Sequence, residues 1–212
     1  MVYKSGVYTK LFVDGILTEL IPSVKPMALT FSGADLGAWQ FAEGNWDRHG
    51  ALDLHGFRIW AGERDGKDSC PEGGEDDLLV MFGFDECVGD DGIIKDMANH
   101  GNDASLISGT LKAVDAMTSC GVDATPPPSC DSPASLKFDG DNDYVSLNGP
   151  LSDSVLNHFS LELWMTMHDV TSLQSIFTDG LYDTDGDLQI NLVDGTLRFA
   201  VSGAGEVDFQ WR

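Results

Sequence analysis

The sequence predicts an all-β protein built from antiparallel hairpins, and three observations support this fold class. Hydrophobic and polar residues alternate with a period of two in several short segments, which is the pattern of half-buried strands. Asp-Gly pairs punctuate these segments and favour tight turns, because glycine tolerates positive φ and aspartate can bond its own backbone. The 212 residues are 42% hydrophobic and 22% charged, which is typical of a folded globular protein of one large β domain or two small ones.

The predicted strands fall into two groups along the chain. In the first group, Val7–Val13 and Ile16–Leu17 form a hairpin around Asp14-Gly15, a short strand follows at 28–31, and residues 33–44 form a loop before the long strand Ala51–Trp60. The strands of the second group are predicted at 78–86, 135–138, 144–147, 159–165, 188–192, 196–201 and 207–212.

The segment from Ser135 to Leu147 carries the most specific motif. Leu136 and Phe138 alternate with polar residues, an acidic turn follows at 139–142, and a second strand begins at Tyr144, so we predict a hairpin. This sequence motif resembles the L-x-F-D-G-x-x-D-Y-V signature of laminin-G-like domains, which are also described as concanavalin A-like or pentraxin-like. Residues 78–106 and 159–165 resemble further strands of the same family. The resemblance implies an antiparallel jelly-roll β-sandwich.

The segments stand in an order that differs from the family's. Residues 1–65 resemble the strands of its C-terminal half, residues 66–77 are an acidic, Gly-rich linker, and residues 78–212 resemble its N-terminal half. Trp211-Arg212 at the end of the sequence and Val2-Tyr3 at its start resemble segments that follow one another directly in the family. Three explanations of this order stay open. The chain is a circular permutant, a repeat completed by a neighbouring subunit, or an arbitrary segment of a series of tandem repeats.

The charge of the chain restricts its partners. With 35 acidic against 12 basic residues, the formal net charge is −23, which repels nucleic acid and anionic membranes and attracts cations. We therefore expect no nucleic-acid partner. No apolar run approaches the roughly 20 residues that span a bilayer, so we expect no membrane insertion.

The cysteines indicate the compartment. Four cysteines without a C-x-x-C pair, in an acidic β protein, favour two disulfides and an extracellular location, secreted or at the cell surface. Three pairings are possible. We prefer Cys120–Cys130, which would staple the loop of three prolines, and Cys70–Cys87 then follows by elimination.

Two acidic clusters are candidate calcium sites. Calcium requires six to eight oxygen ligands, and closely spaced aspartates on a loop supply several of them. The candidate ligands are Asp139, Asp141, Asp143, Asp183, Asp185 and Asp187. Asp139 and Asp143 match the family motif, whose members often bind structural calcium. The alternative interpretation is that these residues form turns on a solvated surface.

The sequence carries no pattern that indicates catalysis. The acidic pairs that sandwich-fold glycosidases place on one strand are absent, and Glu162 is a lone acid within its strand. We predict a protein that is not an enzyme.

Two tryptophans are candidate ligand-binding residues. Trp39 and Trp46 lie in the predicted Gly-rich loop, where their rings could stack on a sugar or contact a protein neighbour. Packing within the protein is the alternative for both. Trp60 and Trp164 lie in strand patterns, and we expect them to fill the core.

The leading functional hypothesis is a structural repeat or subunit of an extracellular filament, appendage or matrix. Such a subunit would join copies of itself head-to-tail through complementary jelly-roll halves, because heterologous contacts that do not close build fibres. The second hypothesis, which the resemblance implies, is a calcium-dependent adhesion module that binds carbohydrate or extracellular matrix protein.

Overall fold

A computed structural model shows an all-β protein, as predicted. The structure describes residues 1–13, 15–22, 31, 33–42, 45–64, 75–84, 92–108, 110–113, 134–151, 156–179, 188–201 and 205–210. These residues contain no helix, and therefore none that is long and apolar enough to cross a membrane. They form two large antiparallel sheets, consistent with a β-sandwich, and one small two-stranded ribbon.

The first sheet has eight strands. Its members are β1 (Val2–Lys4), β2 (Tyr8–Val13), β3 (Ile16–Pro22), β7 (Ala51–Trp60), β8 (Leu78–Phe82), β11 (Thr110–Ala113), β12 (Ala134–Asp139) and β14 (His158–Met167). The strands are ordered β11-β12-β7-β14-β1-β2-β3, and β8 pairs with the second half of β7, on the side where β12 pairs with the first half.

The second sheet also has eight strands. Its members are β4 (Ala34–Leu36), β9 (Ile93–Ile94), β10 (Ala104–Ile107), β13 (Tyr144–Leu147), β15 (Gln174–Asp179), β16 (Leu188–Val193), β17 (Thr196–Val201) and β18 (Gly205–Gln210). Their order is β18-β17-β16-β15-β4-β13-β10-β9. The ribbon pairs β5 (Trp39–Ala42) with β6 (Asn45–Asp47).

The two sheets pack through a core rich in phenylalanine. Six phenylalanine side chains have exposed fractions below 2%, and each contributes about 1.5–3 kcal/mol through burial. Phe57 of β7 stacks on Phe177 of β15 with ring centroids 5.6 Å apart, and Phe31 meets Phe159 edge-on at 5.4 Å. Tyr3 lies 6.1 Å from Phe199, which places β1 opposite β17.

Strands from the two predicted halves interleave within one chain. In the first sheet, β7 lies between β14 on one side and β12 and β8 on the other. In the second sheet, β4 lies between β13 and β15. Of the strands within residues 2–60, β1, β2, β4 and β7 therefore hold interior positions, in sheets whose other strands come largely from residues 78–210, while β3 ends the first sheet.

Two local predictions were wrong. The segment 135–147 is not a hairpin, because β12 pairs in the first sheet while β13 pairs with β10 and β4 in the second. Its acidic turn is a corner that crosses from one sheet to the other. The segment 33–44 is not a loop, because it contains β4 and, at Trp39–Ala42, the first strand of the ribbon.

Most other predicted strands are confirmed. The strand at Ala51–Trp60 has the predicted bounds, and the hairpins β2–β3 and β16–β17 form where expected. The strand predicted at 28–31 lies mostly outside the described residues, as does the linker predicted at 66–77, of which only the last residues, from Glu75, are described.

Candidate functional site

The acidic corner between β12 and β13 uses its carboxylates to bind its own backbone. The N–H of Asp139 donates to Oδ2 of Asp143 at 2.9 Å, and the N–H of Asp141 donates to Oδ1 of Asp139 at 2.9 Å. Asp143 is 6% exposed, and burial raises the pKa of its carboxyl group. This geometry orders the turn.

The structure brings Asp139, Asp141 and Asp143 to one corner without assembling a cluster of ligands there. Among the described residues, no three histidine, cysteine, aspartate or glutamate side chains converge in a way that could hold a metal ion. Asp183, Asp185 and Asp187 lie outside the described residues, and so do Cys70, Cys87, Cys120 and Cys130. The second calcium candidate and the disulfide pairing therefore stay predictions.

The two candidate ligand-binding tryptophans lie on the two strands of the ribbon. Trp39 is 6% exposed, and the guanidinium carbon of Arg48 lies 3.8 Å from its ring centroid. The indole is thus packed beneath a cation. Trp46 lies in the ribbon strand paired with Gln40, but its side chain is outside the described residues.

The outer face of the first sheet carries a cation–aromatic row formed by Trp164, Arg58, Glu162, Trp60 and Arg64. The Arg58 guanidinium lies 4.5 Å from the centroid of Trp164, and the Arg64 guanidinium lies 3.6 Å from that of Trp60. Glu162 stands between them, accepting a 3.1 Å hydrogen bond from Nε1 of Trp60 and lying 3.7 Å from Arg58. The row alternates stacked cations with aromatic rings.

The prediction that Trp60 and Trp164 fill the core is confirmed for Trp60 and wrong for Trp164. Trp60 is 2% exposed and packs with Leu78, Met81 and Ala98 in a second, smaller core cluster. Trp164 is only half-buried on the outer face of the sheet, where an added methyl group at Gly56 would lie 3.3 Å from its ring. The physical reason is that the Arg58 side chain, and not the second sheet, packs on this ring.

The row continues onto β1 and β2 through a second polar group. Lys4 forms a 2.6 Å ion pair with Glu63, which also accepts a hydrogen bond from the hydroxyl of Tyr8. Lys10 lies 4.2 Å from the centroid of the Tyr8 ring. The hydrogen bond to Lys4 lowers the pKa of Glu63, and the bond to Tyr8 adds to this effect.

This face gathers basic side chains together with their acidic partners. Lys4, Lys10, Arg58 and Arg64 are four of the chain's 12 basic residues. Four acids face them: Glu63, Asp77 and Glu162 form ion pairs, and Glu75 acts electrostatically on Arg58. The charges of this group therefore balance within the protein, and Glu162 is held by Trp60 and Arg58.

Sequence reasoning missed both arginines of the row. The signal was present in Arg58-Ile59-Trp60, where positions two apart on a strand share one face, and in Glu162-Leu163-Trp164 on its neighbour. The pairing of Glu162 with Arg58 in the register of β7 and β14 is what brings these two patterns together. That register could not be read from either strand alone.

Comparison of the chain with models of protein families, with curated proteins and with solved structures gives no match in any of the three.

Proposed function

We propose that the protein is a structural repeat or subunit of an extracellular filament, appendage or matrix, in which copies join head-to-tail by exchanging complementary jelly-roll halves. The observation that supports this proposal most is the interior position of strands from residues 2–60 in both sheets. The laminin-G-like resemblance and the permuted segment order, read from sequence, add to it.

Each half is incomplete without the other. Without residues 2–60, β14 would lose both of its neighbours, β7 and β1, and the second sheet would split between β13 and β15. Such halves expose apolar faces and unpaired strand edges, which are unstable in water. The contacts that close one chain on itself are the same contacts that two chains would make by exchanging halves.

A designed disulfide tests whether halves are exchanged. The N–H of Ser5 donates to the carbonyl of Asn157, so Lys4 and His158 form the adjacent non-hydrogen-bonded pair of β1 and β14. In such a pair the Cα atoms lie about 4.5 Å apart, which a disulfide can bridge. The variant carrying Lys4→Cys and His158→Cys should then join chains covalently if halves are exchanged.

The readouts are light scattering across a dilution series and a non-reducing gel. Exchange predicts open-ended oligomers that persist on dilution and a ladder of disulfide-linked chains from the double variant. Each single-cysteine variant is the matched control for linkage through the native cysteines. A compact monomer with an intrachain bridge would refute the exchange of halves.

A second candidate function is a calcium-dependent adhesion module that binds carbohydrate or extracellular matrix protein. The cation–aromatic row favours this candidate, because half-buried Trp164 is an aromatic side chain at the surface, and aromatic side chains with partly exposed rings suit contact with sugars. Binding to a panel of neutral and acidic glycans, with calcium and with a chelator, tests it. Trp164→Ala should abolish binding, and Asp141→Asn should abolish its calcium dependence.

A further inference from the structure

The hairpin of β2 and β3 forms one side of the sandwich, and β3 is the last strand of the first sheet within the described part of the chain. We propose that β3 pairs with β3 of a second copy of the chain, antiparallel and about a two-fold axis, so that the two first sheets become one continuous sheet. This contact joins two closed sandwiches without exchanging halves, and it therefore goes beyond the function proposed above.

Within the part of the chain that the structure describes, no strand pairs with the outer edge of β3. Because Ser5 donates to Asn157, the odd-numbered positions of β1 bond toward β14 and the even-numbered positions bond toward β2. The register of β1 with β2 then directs the backbone groups of Thr9 and Leu11 toward β3.

The partners of these two residues complete the assignment. Ile21 and Glu19 are the residues of β3 that lie opposite Thr9 and Leu11 and bond to β2. The N–H and carbonyl of Leu20 between them must then point away from β2, toward the open edge. Pro22, which has no N–H, also occupies an outward position, as proline does on an edge strand.

The side chains of the hairpin are apolar on both faces. Leu11 is part of the core, and Val13 and Ile21 pack against it. Leu17 and Leu20 are nevertheless 48% and 49% exposed. Leu17 and Leu20 lie on the outer face beside the outer edge of β3, so a strand added at this edge brings its own side chains against them.

The exposed apolar residues concentrate on this hairpin. Of the seven large hydrophobic side chains that are exposed in the described residues, four lie on or beside it, namely Val7, Ile16, Leu17 and Leu20. The remaining three, among them Val170 and Leu173, lie elsewhere on the surface. Two of the four, Leu17 and Leu20, oppose Phe12 and Lys10 of β2 and therefore share the outer face of the hairpin.

The lengths of the edge strands single out the same side. At the far side of the sandwich, the outermost described strands are β11 and β9, with four and two residues. At the near side they are β3 and β18, with seven and six residues. Proteins that stay monomeric shorten or charge their edge strands, so the long edge formed by β3 is the one suited to pairing.

The charge distribution selects a second copy as the partner. Residues 1–22 contain two lysines and two acids, so this segment is formally neutral while the rest of the chain carries the whole net charge of −23. Two copies repel each other through their remaining surfaces, and the repulsion is smallest where the hairpins meet. A two-fold axis places β3 against itself in antiparallel orientation, which makes the contact self-complementary and closed.

Sedimentation velocity across a dilution series, at about 0.15 M salt, tests the contact. For chains closed on themselves, we expect a dimer that the double variant Leu17→Glu with Leu20→Glu weakens at least tenfold, because four added charges face each other in the dimer. The matched control is Val170→Glu with Leu173→Glu, which adds the same charge at similarly exposed positions and should leave the dissociation constant within twofold. Circular dichroism melting establishes that both variants fold.

A backbone variant separates strand pairing from a general apolar contact. Leu20→Pro removes the outward N–H without touching the bonds between β2 and β3, whereas Leu20→Ala keeps this N–H and removes most of the side chain. Strand pairing predicts that the proline variant dissociates at least fivefold more readily than the alanine variant. Equal effects would overturn the paired-strand arrangement.

The chain locked by the intrachain bridge between positions 4 and 158 separates this contact from the exchange of halves. The locked chain should still dimerise, and its dimer should still be sensitive to the hairpin charges. A locked chain that is monomeric at all concentrations, that forms open-ended polymers, or whose dimer ignores the hairpin charges would overturn the inference.

Discussion

The backbone N–H of Met81, in β8, donates a 3.0 Å hydrogen bond to the buried carboxylate of Asp96. The same carboxylate also accepts bonds from the N–H groups of Ala98, His100 and Asn102. One side chain thus satisfies four backbone donors and closes the loop between β9 and β10 onto β8. Buried donors require such partners, because water cannot reach them.

We expect Asp96→Asn to destabilise the protein by about 3 kcal/mol, because an amide can accept only through its oxygen and leaves buried N–H groups unpaired. The free energy of unfolding in urea measures this loss. The matched control is Asp141→Asn on the exposed corner, which should change stability by less than about 0.5 kcal/mol. Similar losses in both variants would contradict the role assigned to Asp96.

Two glycines with similar backbone angles separate crowding from conformational strain. Gly37 has φ +83° and Gly101 has φ +78°, but only at Gly37 would an added Cβ meet another side chain, lying 2.8 Å from the ring of Phe138. We expect Gly101→Ala to cost about 1 kcal/mol from the left-handed backbone alone. Gly37→Ala should cost at least about 2 kcal/mol more, because a buried ring must move.

Thermal and urea unfolding of both variants measure the difference. Equal destabilisation would mean that Phe138 yields freely and that the packing around Gly37 is looser than the distance indicates.

The loop between β14 and β15 holds an aspartate with a strongly lowered pKa. A hydrogen bond from the hydroxyl of Ser172 and further bonds from Thr171 lower the pKa of Asp169 to about 2. Since the folded pKa lies below the unfolded one, the stabilisation is complete above the unfolded pKa and is lost as the pH falls toward 2.

Carbon-detected NMR titration should therefore give a midpoint near 2 for Asp169. Ser172→Ala should raise this midpoint toward the ordinary aspartate value of 3.8. A wild-type midpoint near the ordinary value would show that the hydroxyl does not hold the carboxylate in solution.

The buried and exposed ion pairs of the first sheet should differ in strength. Glu162 pairs with Arg58, whose side chain is 12% exposed, whereas Asp77, which pairs with Arg64, is 50% exposed. We expect Glu162→Gln to cost about 1–2 kcal/mol, because it leaves a largely buried guanidinium with a weaker partner. Asp77→Asn should cost less than about 0.5 kcal/mol.

Urea unfolding at low and high salt checks both values. An equal loss for the two variants would indicate that solvent screens Glu162 as well. A hydrolase activity that Glu162→Gln abolishes would instead assign this residue to catalysis.

Thermal unfolding tests whether the acidic corner binds calcium. If the corner at Asp139, Asp141 and Asp143 binds calcium, millimolar calcium should raise the melting temperature and a chelator should reverse the rise. Asp139→Asn with Asp141→Asn should abolish this shift. A shift that survives in the variant would assign calcium to another part of the chain.

The sequence predicted strands and turns better than it predicted their partners. The alternation in Ala51–Trp60 defines a strand whatever its neighbours are, and the structure has it with the same bounds. The acidic turn at 139–142 was equally clear as a turn, but a tight turn can close a hairpin or cross between sheets. Sequence alternation carries no information on which of the two occurs.

The candidate site shows the same limit. Asp139 and Asp143 were predicted at one turn and are found there, bonded to the backbone. The cation–aromatic row was missed because four of its five members lie on two strands about 100 residues apart in sequence, and only the register of β7 against β14 brings Arg58 to Glu162. The pattern within each strand could identify the residues of the row on β7 and those on β14. It could not show that the two sets lie side by side.

The interior position of β7 has a consequence for how the protein is made. The strands that flank β7 and β14 lie far apart along the chain, and β7 ends about 70 residues before β12 begins. At a synthesis rate of 5–20 residues per second, the apolar β7 waits roughly 4–15 s on the ribosome for its first long-range neighbour after β8. High contact order also slows the search that follows, so folding should be slow and should benefit from chaperones that shield nascent strands.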